Sequence, residues 1–338
     1  MNILITGGAG FIGTNAALYF GKSKKNKIII VDNLSRVGTE YNLIYLKKNI
    51  ISPLSFIKCN VQEIKSYLSA IKTADVIIHL AGQTAVTTSL AHPKEDFTSN
   101  IVGGFSLLEA VRLYNPKAII MYSSTNKVYG NLKSHVLKKD EKKKLYINET
   151  FPKGVNEQEP LEFISPYGCS KGTIDQYMQD YARSFGLKTV VFRQSCIYGP
   201  HQLGVEDQGW IAHFSKQFLK NLPITLFGDG YQVRDLLYVE DLVRAYDNAI
   251  KKIDVVSGMV FNIGGGIENS FSLLQVLSLL GKKIGKNPEI HFEKERLGDQ
   301  KYFVSDNGRA KKILDWQPTT LFKKGVDSLI SWQQKNIR

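Results

Sequence analysis

"NILITGGAGFIGTNAALYF" occupies residues 2–20, and its reading decides the fold. The opening NILIT is a short apolar run of the kind that forms a buried strand. Glycines follow at once, and Gly8, Gly10 and Gly13 match the spacing G-x-G-x-x-G. Glycine permits a tight turn there, and its missing side chain lets a pyrophosphate approach the backbone. GFIGTNAALYF then reads as a helix, whose free N-terminal amides and positive dipole end favour an anion. A second apolar run, NKIIIVDN (26–33), completes a strand–helix–strand unit and puts Asp32 about 20 residues beyond Gly13. A carboxylate at that point accepts hydrogen bonds from an adenosine ribose and repels a 2′-phosphate, which favours NAD over NADP. Arg36, close by, is the residue able to pair with such a phosphate instead.

The alternation continues outward from this unit. LSFIKCN (54–60), ADVIIHLAG (74–82), KAIIMYSS (117–124) and KTVVFRQS (188–195) are near-continuous apolar runs rich in β-branched residues. Such runs suit strands buried on both faces. VQEIKSYLSAI, NIVGGFSLLEAVRLY and SKGTIDQYMQDYARSF read as the helices between them. The expected class is α/β: a Rossmann-type doubly wound parallel sheet with helices on both faces. Its domain is expected over 1–196, with segments from about 232–265 able to rejoin it. Residues 197–338 mix helical and strand-like segments and read as a smaller α/β domain for the substrate. Within them SFSLLQVLSLLGKKIG carries Ser at a plausible N-cap and reads as a helix. The lysine-rich stretch 131–162 reads as an irregular loop.

The composition is that of an ordinary globular chain: 338 residues, 43% hydrophobic and 22% charged. The N-terminus lacks the pattern of a signal peptide, and no apolar run approaches a bilayer-spanning length. Cys59, Cys169 and Cys196 are scattered and odd in number, which reads as free thiols in the cytoplasm. The six histidines form no metal-ligand cluster, so no metal is expected. The net charge of +13 suits an anionic ligand. The lysine runs GKSKKNK (21–27) and KKDEKKK (138–144) lack interleaved aromatics, so they read as solvated loops, with no nucleic-acid partner and no membrane.

FISPYGCSKG (163–172) sets Tyr167 four residues before Lys171, one helical turn apart behind Pro166. A free phenol, with a pKa near 10, is a poor base at neutral pH. A neighbouring ammonium together with the positive nicotinamide ring is expected to favour the phenolate. The strand MYSST ends in the hydroxyls Ser123, Ser124 and Thr125, where an open α/β sheet places its ligands. Together these groups would supply a base, an electrostatic tuner and a positioning hydroxyl for hydride transfer.

In this order the motifs GGAGFIG, Asp32, HLAG (79–82), SSTNKVYG (123–130), SPYGCSK (165–171) and VRDLLYVED (233–241) resemble the extended short-chain dehydrogenase/reductase family, specifically its NAD-dependent nucleotide-sugar epimerases and dehydratases. The resemblance spans nearly the whole chain. It implies a catalytic trio of Thr125, Tyr167 and Lys171. It implies that Gly7, Gly10, Phe11, Ile12, Gly13, Asp32, Asn33, Ser35, Arg36, Asn60, Val61, Leu80, Ala81, Gln83 and Ser123, with Tyr167 and Lys171, hold NAD. Asn60 stands where the family more often has Asp. For the substrate it implies Gln83, Thr87, Thr125, Asn126, Gln208, Arg234 and Arg296, the two arginines on the diphosphate. The family's dehydratases carry Asp–Glu after the catalytic threonine, whereas this chain has Asn126–Lys127, so epimerisation is expected over elimination. DNLSRVGTEYNLIYL (32–46), HLAGQTAVTTS (79–89) and DQGW (207–210) are most similar to the CDP-paratose 2-epimerase (CDP-tyvelose epimerase) branch, an isomerase group acting by transient oxidation at C2. A UDP-hexose 4-epimerase and a non-catalytic dinucleotide-sensing member are the alternatives. The resemblance further implies a homodimer or homotetramer joined through helices 100–114 and 167–185, and a role in polysaccharide biosynthesis.

Overall fold

The computed structural model describes residues 1–296 and 298–336. Strands β1 (Asn2–Thr6), β2 (Lys27–Asp32), β3 (Leu54–Lys58), β4 (Val76–His79) and β5 (Ile119–Thr125) alternate with helices, as the apolar runs require. A hairpin follows, β6 (Leu137–Asp140) and β7 (Leu145–Asn148), then β8 (Lys188–Gln194) and the short β9 (Cys196–Tyr198). The remaining strands are β10 (Ile224–Phe227), β11 (Val233–Tyr238), β12 (Met259–Ile263), β13 (Ser270–Ser272), β14 (Ile290–Glu293) and β15 (Tyr302–Phe303).

Seven strands form one parallel sheet in the order β12-β8-β5-β4-β1-β2-β3. Strand order reverses between β1 and β4, the topological switch point where such sheets bind ligands. Side chains alternate faces along each strand. Ile3 and Ile5 point into one core with Ala16, Ala17 and Phe20 of the helix Phe11–Phe20 and Leu242, Val243 and Tyr246 of the helix Val239–Lys251. Leu4 points into the opposite core with Tyr67, Leu107, Ile174 and Met178. Both faces are therefore buried, which is why the strands carry no polar alternation. β12 lies far along the chain yet pairs with β8 at the edge of this sheet.

The smaller half gathers around β11, which pairs with β9, β13 and β15, and around the parallel pair β10–β14. Its core joins Ile211, Phe214 and Phe218 to Leu226, Val276, Leu280 and Phe322. Ser272 caps the helix Leu273–Ile284 in a full capping box with Gln275.

The stretch 131–162 departs from the irregular loop expected of it, because β6 and β7 pair antiparallel within it. Leu137, Leu145 and Tyr146 pack on the cluster of Val233, Tyr302 and Val304, and this apolar contact holds the hairpin to the rest of the molecule. An isolated hairpin is marginal in water, so its order depends on that distant support.

Candidate active site

The turn after β1 makes the first wall of the site. Gly7 adopts φ 70° and its carbonyl accepts from Gly10 N at 3.1 Å. Gly8, the first glycine of the G-x-G-x-x-G spacing, does not line the cleft. A Cβ at Gly8 would lie 2.7 Å from the Ile30 side chain, so this glycine lets the turn pack on β2. Gly7, Gly10 and Gly13 face the cleft instead. A Cβ at Gly13 would lie 2.4 Å from Gly7 O, so the helix reaches the turn only because residue 13 is glycine. Asp32 accepts from Ala9 N at 3.0 Å and from Leu34 N at 2.8 Å, tying the glycine turn to the loop after β2. At the same end Asn33 donates to Asn60 at 2.9 Å, and Asn60 donates to Glu63 at 2.6 Å.

The helix Ser165–Phe185 makes the second wall. Ser165 takes φ 81°, and its hydroxyl accepts from Gly168 N at 3.2 Å, which sets the first turn and the direction of Tyr167. Ser89 Oγ accepts from Tyr167 N at 3.1 Å. Tyr167, Lys171 and Thr125 are all buried and line the same cleft. Burial pushes the Tyr167 phenol up to about 12, against the lowering effect of its hydrogen bond with Thr125. Burial pushes Lys171 down to about 7, although Asp96 and Asp175 oppose this. The Lys171 ammonium sits 4.3 Å from the centre of the Tyr122 ring. Desolvation penalises both charges, so the phenolate–ammonium state calls for another positive charge in the cleft.

One cavity of about 960 Å³ collects every candidate. Along it lie Gly7, Gly10, Phe11, Ile12, Gly13, Asp32, Asn33, Ser35, Arg36, Asn60, Val61, Leu80, Ala81, Gln83 and Ser123, then the trio, then Thr87, Asn126, Gln208, Arg234 and Arg296. Thr87 Oγ1 is buried without a partner and is free to meet a ligand. Gln83 is folded onto its own turn, donating to Ala85 O at 2.7 Å. Arg36 donates to Thr84 Oγ1 at 3.3 Å, and Gln208 bonds the same hydroxyl, so the two halves meet across the mouth. Arg296 pairs with Glu206 at 2.6 Å and Asp207 at 3.1 Å and lies over the Phe227 ring at 3.6 Å.

Several groups in and behind the cleft escaped the sequence reading. Asp175 lies one further turn along the trio's helix, bonded by Arg193 at 2.9 and 3.0 Å and by Ser124 at 2.8 Å. Its i+8 spacing from Tyr167 was a usable signal. Asp96 is buried and bonded by Asn100 at 3.0 Å, with nothing local to mark it. Lys127 and Arg234 both bond Asp299 Oδ1, at 3.3 and 2.7 Å. Burial alone would raise the Asp299 carboxyl, but these two cations outweigh it and hold it at about 2.

The model of the NAD dependent epimerase/dehydratase family matches residues 3–264. The chain belongs to that family. It is 41% identical to the CDP-paratose 2-epimerase of Salmonella typhi, across 98% of this chain and 99% of that protein. Among solved structures it is similar to a UDP-glucose 4-epimerase of Thermotoga maritima with UDP-glucose, at 30% identity and TM-score 0.84 over 100% of both chains. It is equally close in shape to the Bacillus cereus UDP-glucuronic acid 4-epimerase in complex with UDP-glucuronic acid and NAD, at 28% identity and TM-score 0.84 over 99% of both. The chain is accordingly an NAD-dependent nucleotide-sugar epimerase, and its fold is the Rossmann type expected. The glycine turn that a Cβ would fill, the carboxylate of Asp32 and the buried Lys171 fit that cofactor. Bound there, NAD supplies a hydride acceptor and a positive ring. Among the described residues no helix is long and apolar enough to cross a membrane.

Proposed function

We propose that this chain interconverts CDP-paratose and CDP-tyvelose by epimerising the sugar at C2. One observation carries the reading: the cavity runs unbroken from the glycine turn, past Thr125, Tyr167 and Lys171, to Arg234 and Arg296. Cofactor, reacting carbon and diphosphate can thus be held in line. The full-length similarity to a protein of that name supports the choice of substrate. Asn126 and Lys127 supply neither the acid nor the base that elimination of water needs.

In this reading Thr125 and Tyr167 bond the C2 hydroxyl oxygen, and Tyr167 takes its proton as the hydride leaves the carbon. Lys171 keeps the phenolate supplied with positive charge. The ketone left at C2 is planar, so hydride return to its other face with the proton from Tyr167 inverts the centre. No cofactor is consumed. We further infer a homodimer that pairs the helices Gly103–Tyr114 and Ser165–Phe185, whose outer faces expose Phe105, Leu113, Tyr114, Tyr177 and Phe185. Three free cysteines favour a cytoplasmic protein that serves polysaccharide biosynthesis.

Product analysis by NMR tests the reading. CDP-paratose should yield CDP-tyvelose without steady NADH release. Tyr167→Phe should lose at least about 100-fold in kcat with bound NAD retained. Comparable conversion of UDP-glucose to UDP-galactose would move the assignment to a UDP-hexose 4-epimerase. Unchanged activity, or none, in both wild type and Tyr167→Phe would leave a dinucleotide-sensing protein.

A further inference from the structure

Lys127 has no part in the catalytic trio, yet its backbone N–H donates to Thr125 Oγ1 at 3.3 Å. Its side chain turns into the substrate half of the cavity. There the ammonium donates to Gly298 O at 3.1 Å and to Asp299 Oδ1 at 3.3 Å. Arg234 reaches the same carboxylate oxygen from β11 at 2.7 Å. Two cations therefore share one carboxylate in a cleft wall, and the cluster keeps a net positive charge. Such a pair suits a phosphate, whose several oxygens can satisfy both donors together.

The position of this charge limits the sugar. In a nucleotide sugar the diphosphate is joined to the anomeric carbon, C1. Ring carbon C2 is bonded to C1, whereas C4 lies across the ring from it. Lys127 bonds the Thr125 hydroxyl through its N–H and lines the same cavity, so a phosphate it holds favours a near neighbour of C1 at Thr125 and Tyr167. With C4 at the trio, the same phosphate would lie a full ring away.

We propose that Lys127 is a specificity-determining residue: its ammonium holds the phosphate attached to the sugar and so presents C2 rather than C4 to Tyr167. This rests on the nucleotide-sugar reading above. Arg234, bonded to the same carboxylate oxygen, takes the same phosphate, and Asn126 steadies the turn by donating to Gln300 at 3.2 Å.

The test uses the NAD-loaded protein with Lys127→Met and Lys127→Gln, bound NAD serving as the check on folding. Calorimetry measures CDP against CMP, which differ only in the phosphate at issue, with UDP against UMP run in parallel so that the result does not depend on the base. Loss of a charge-assisted hydrogen bond should weaken the diphosphate by about 10-fold or more in both variants and leave the monophosphate within about 2-fold. With CDP-paratose deuterated at C2 or at C4, only the C2 label should slow the wild type, and the variants should lose kcat as well as affinity. If the C4 label slows the wild type, the C2 reading fails whatever Lys127 does. If the C2 label slows it while both variants keep wild-type diphosphate affinity and kcat, Lys127 is merely a tie to residues 298–299 and this proposal is overturned. Lys127→Gln can keep the bond to Gly298, so it covers a Lys127→Met protein that does not fold.

Discussion

At the scale of single residues, Lys171 and Tyr167 are held away from their ordinary protonation states by burial, in opposite directions. Without cofactor, Lys171 titrates near 7 in the fold and near 10.4 in the unfolded chain. Between those values the unfolded chain binds a proton that the folded one has lost. The sign follows: this group makes the fold more stable as pH rises from 7 to 10, by at most about 1.4 kcal/mol per pH unit. Tyr167 acts in the next window, because its phenol is raised to about 12 and keeps its proton when the unfolded tyrosine loses it. Its contribution therefore falls as pH rises from 10 toward 12. Urea unfolding of NAD-stripped protein across pH 7–10 should show the lysine slope, and Lys171→Met should flatten it. An identical slope in that variant would sink the account. Both residues were legible in the sequence, since i and i+4 share a helix face. Their protonation was not, because it depends on burial in the closed fold and on the charge of Asp96, in the helix Pro93–Asp96.

At the scale of the element, the helix Ser165–Phe185 carries Tyr167, Lys171 and Asp175 on one buried face. Arg193 on β8 locks that face through Asp175, and its guanidinium also donates to Tyr129 at 3.0 Å. Removing one partner of a buried ion pair strands the other charge, so Arg193→Met should cost about 3–5 kcal/mol of stability. On the same helix the Arg183–Asp180 pair is solvent-exposed at 3.5 Å. Arg183→Ala should shift stability by no more than about 0.5 kcal/mol. Thermal unfolding of the two variants checks the contrast, and equal effects would refute it. The start of this helix at Pro166 could be read locally. Asp175 was passed over because its partner stands on a strand that no local pattern links to it.

At the scale of the whole molecule, the helices Gly103–Tyr114 and Ser165–Phe185 leave an aromatic face toward solvent. Phe105, Tyr177, Tyr181 and Phe185 pack edge to face there, with centroids 4.9–6.4 Å apart. Aromatic faces of this kind mark contact surfaces. Phe105→Glu or Tyr177→Glu should halve the mass seen by light scattering while bound NAD is retained. A wild-type protein that is already monomeric would remove the inferred dimer.

The strand–turn–helix beginning at Asn2, the trio's helix and the parallel sheet follow from the sequence by itself, because each depends on periodicity and glycine spacing within a few residues. Tertiary structure alone decided that Gly8 packs the turn on β2, since that role shows only in its contact with Ile30. It also decided that 137–148 forms a hairpin on Tyr302 and Val304, and that Lys127, Arg234 and Asp299 meet. These contacts join residues far apart in the chain, and their energies arise from burial and shared charge that exist only once the chain has closed on itself.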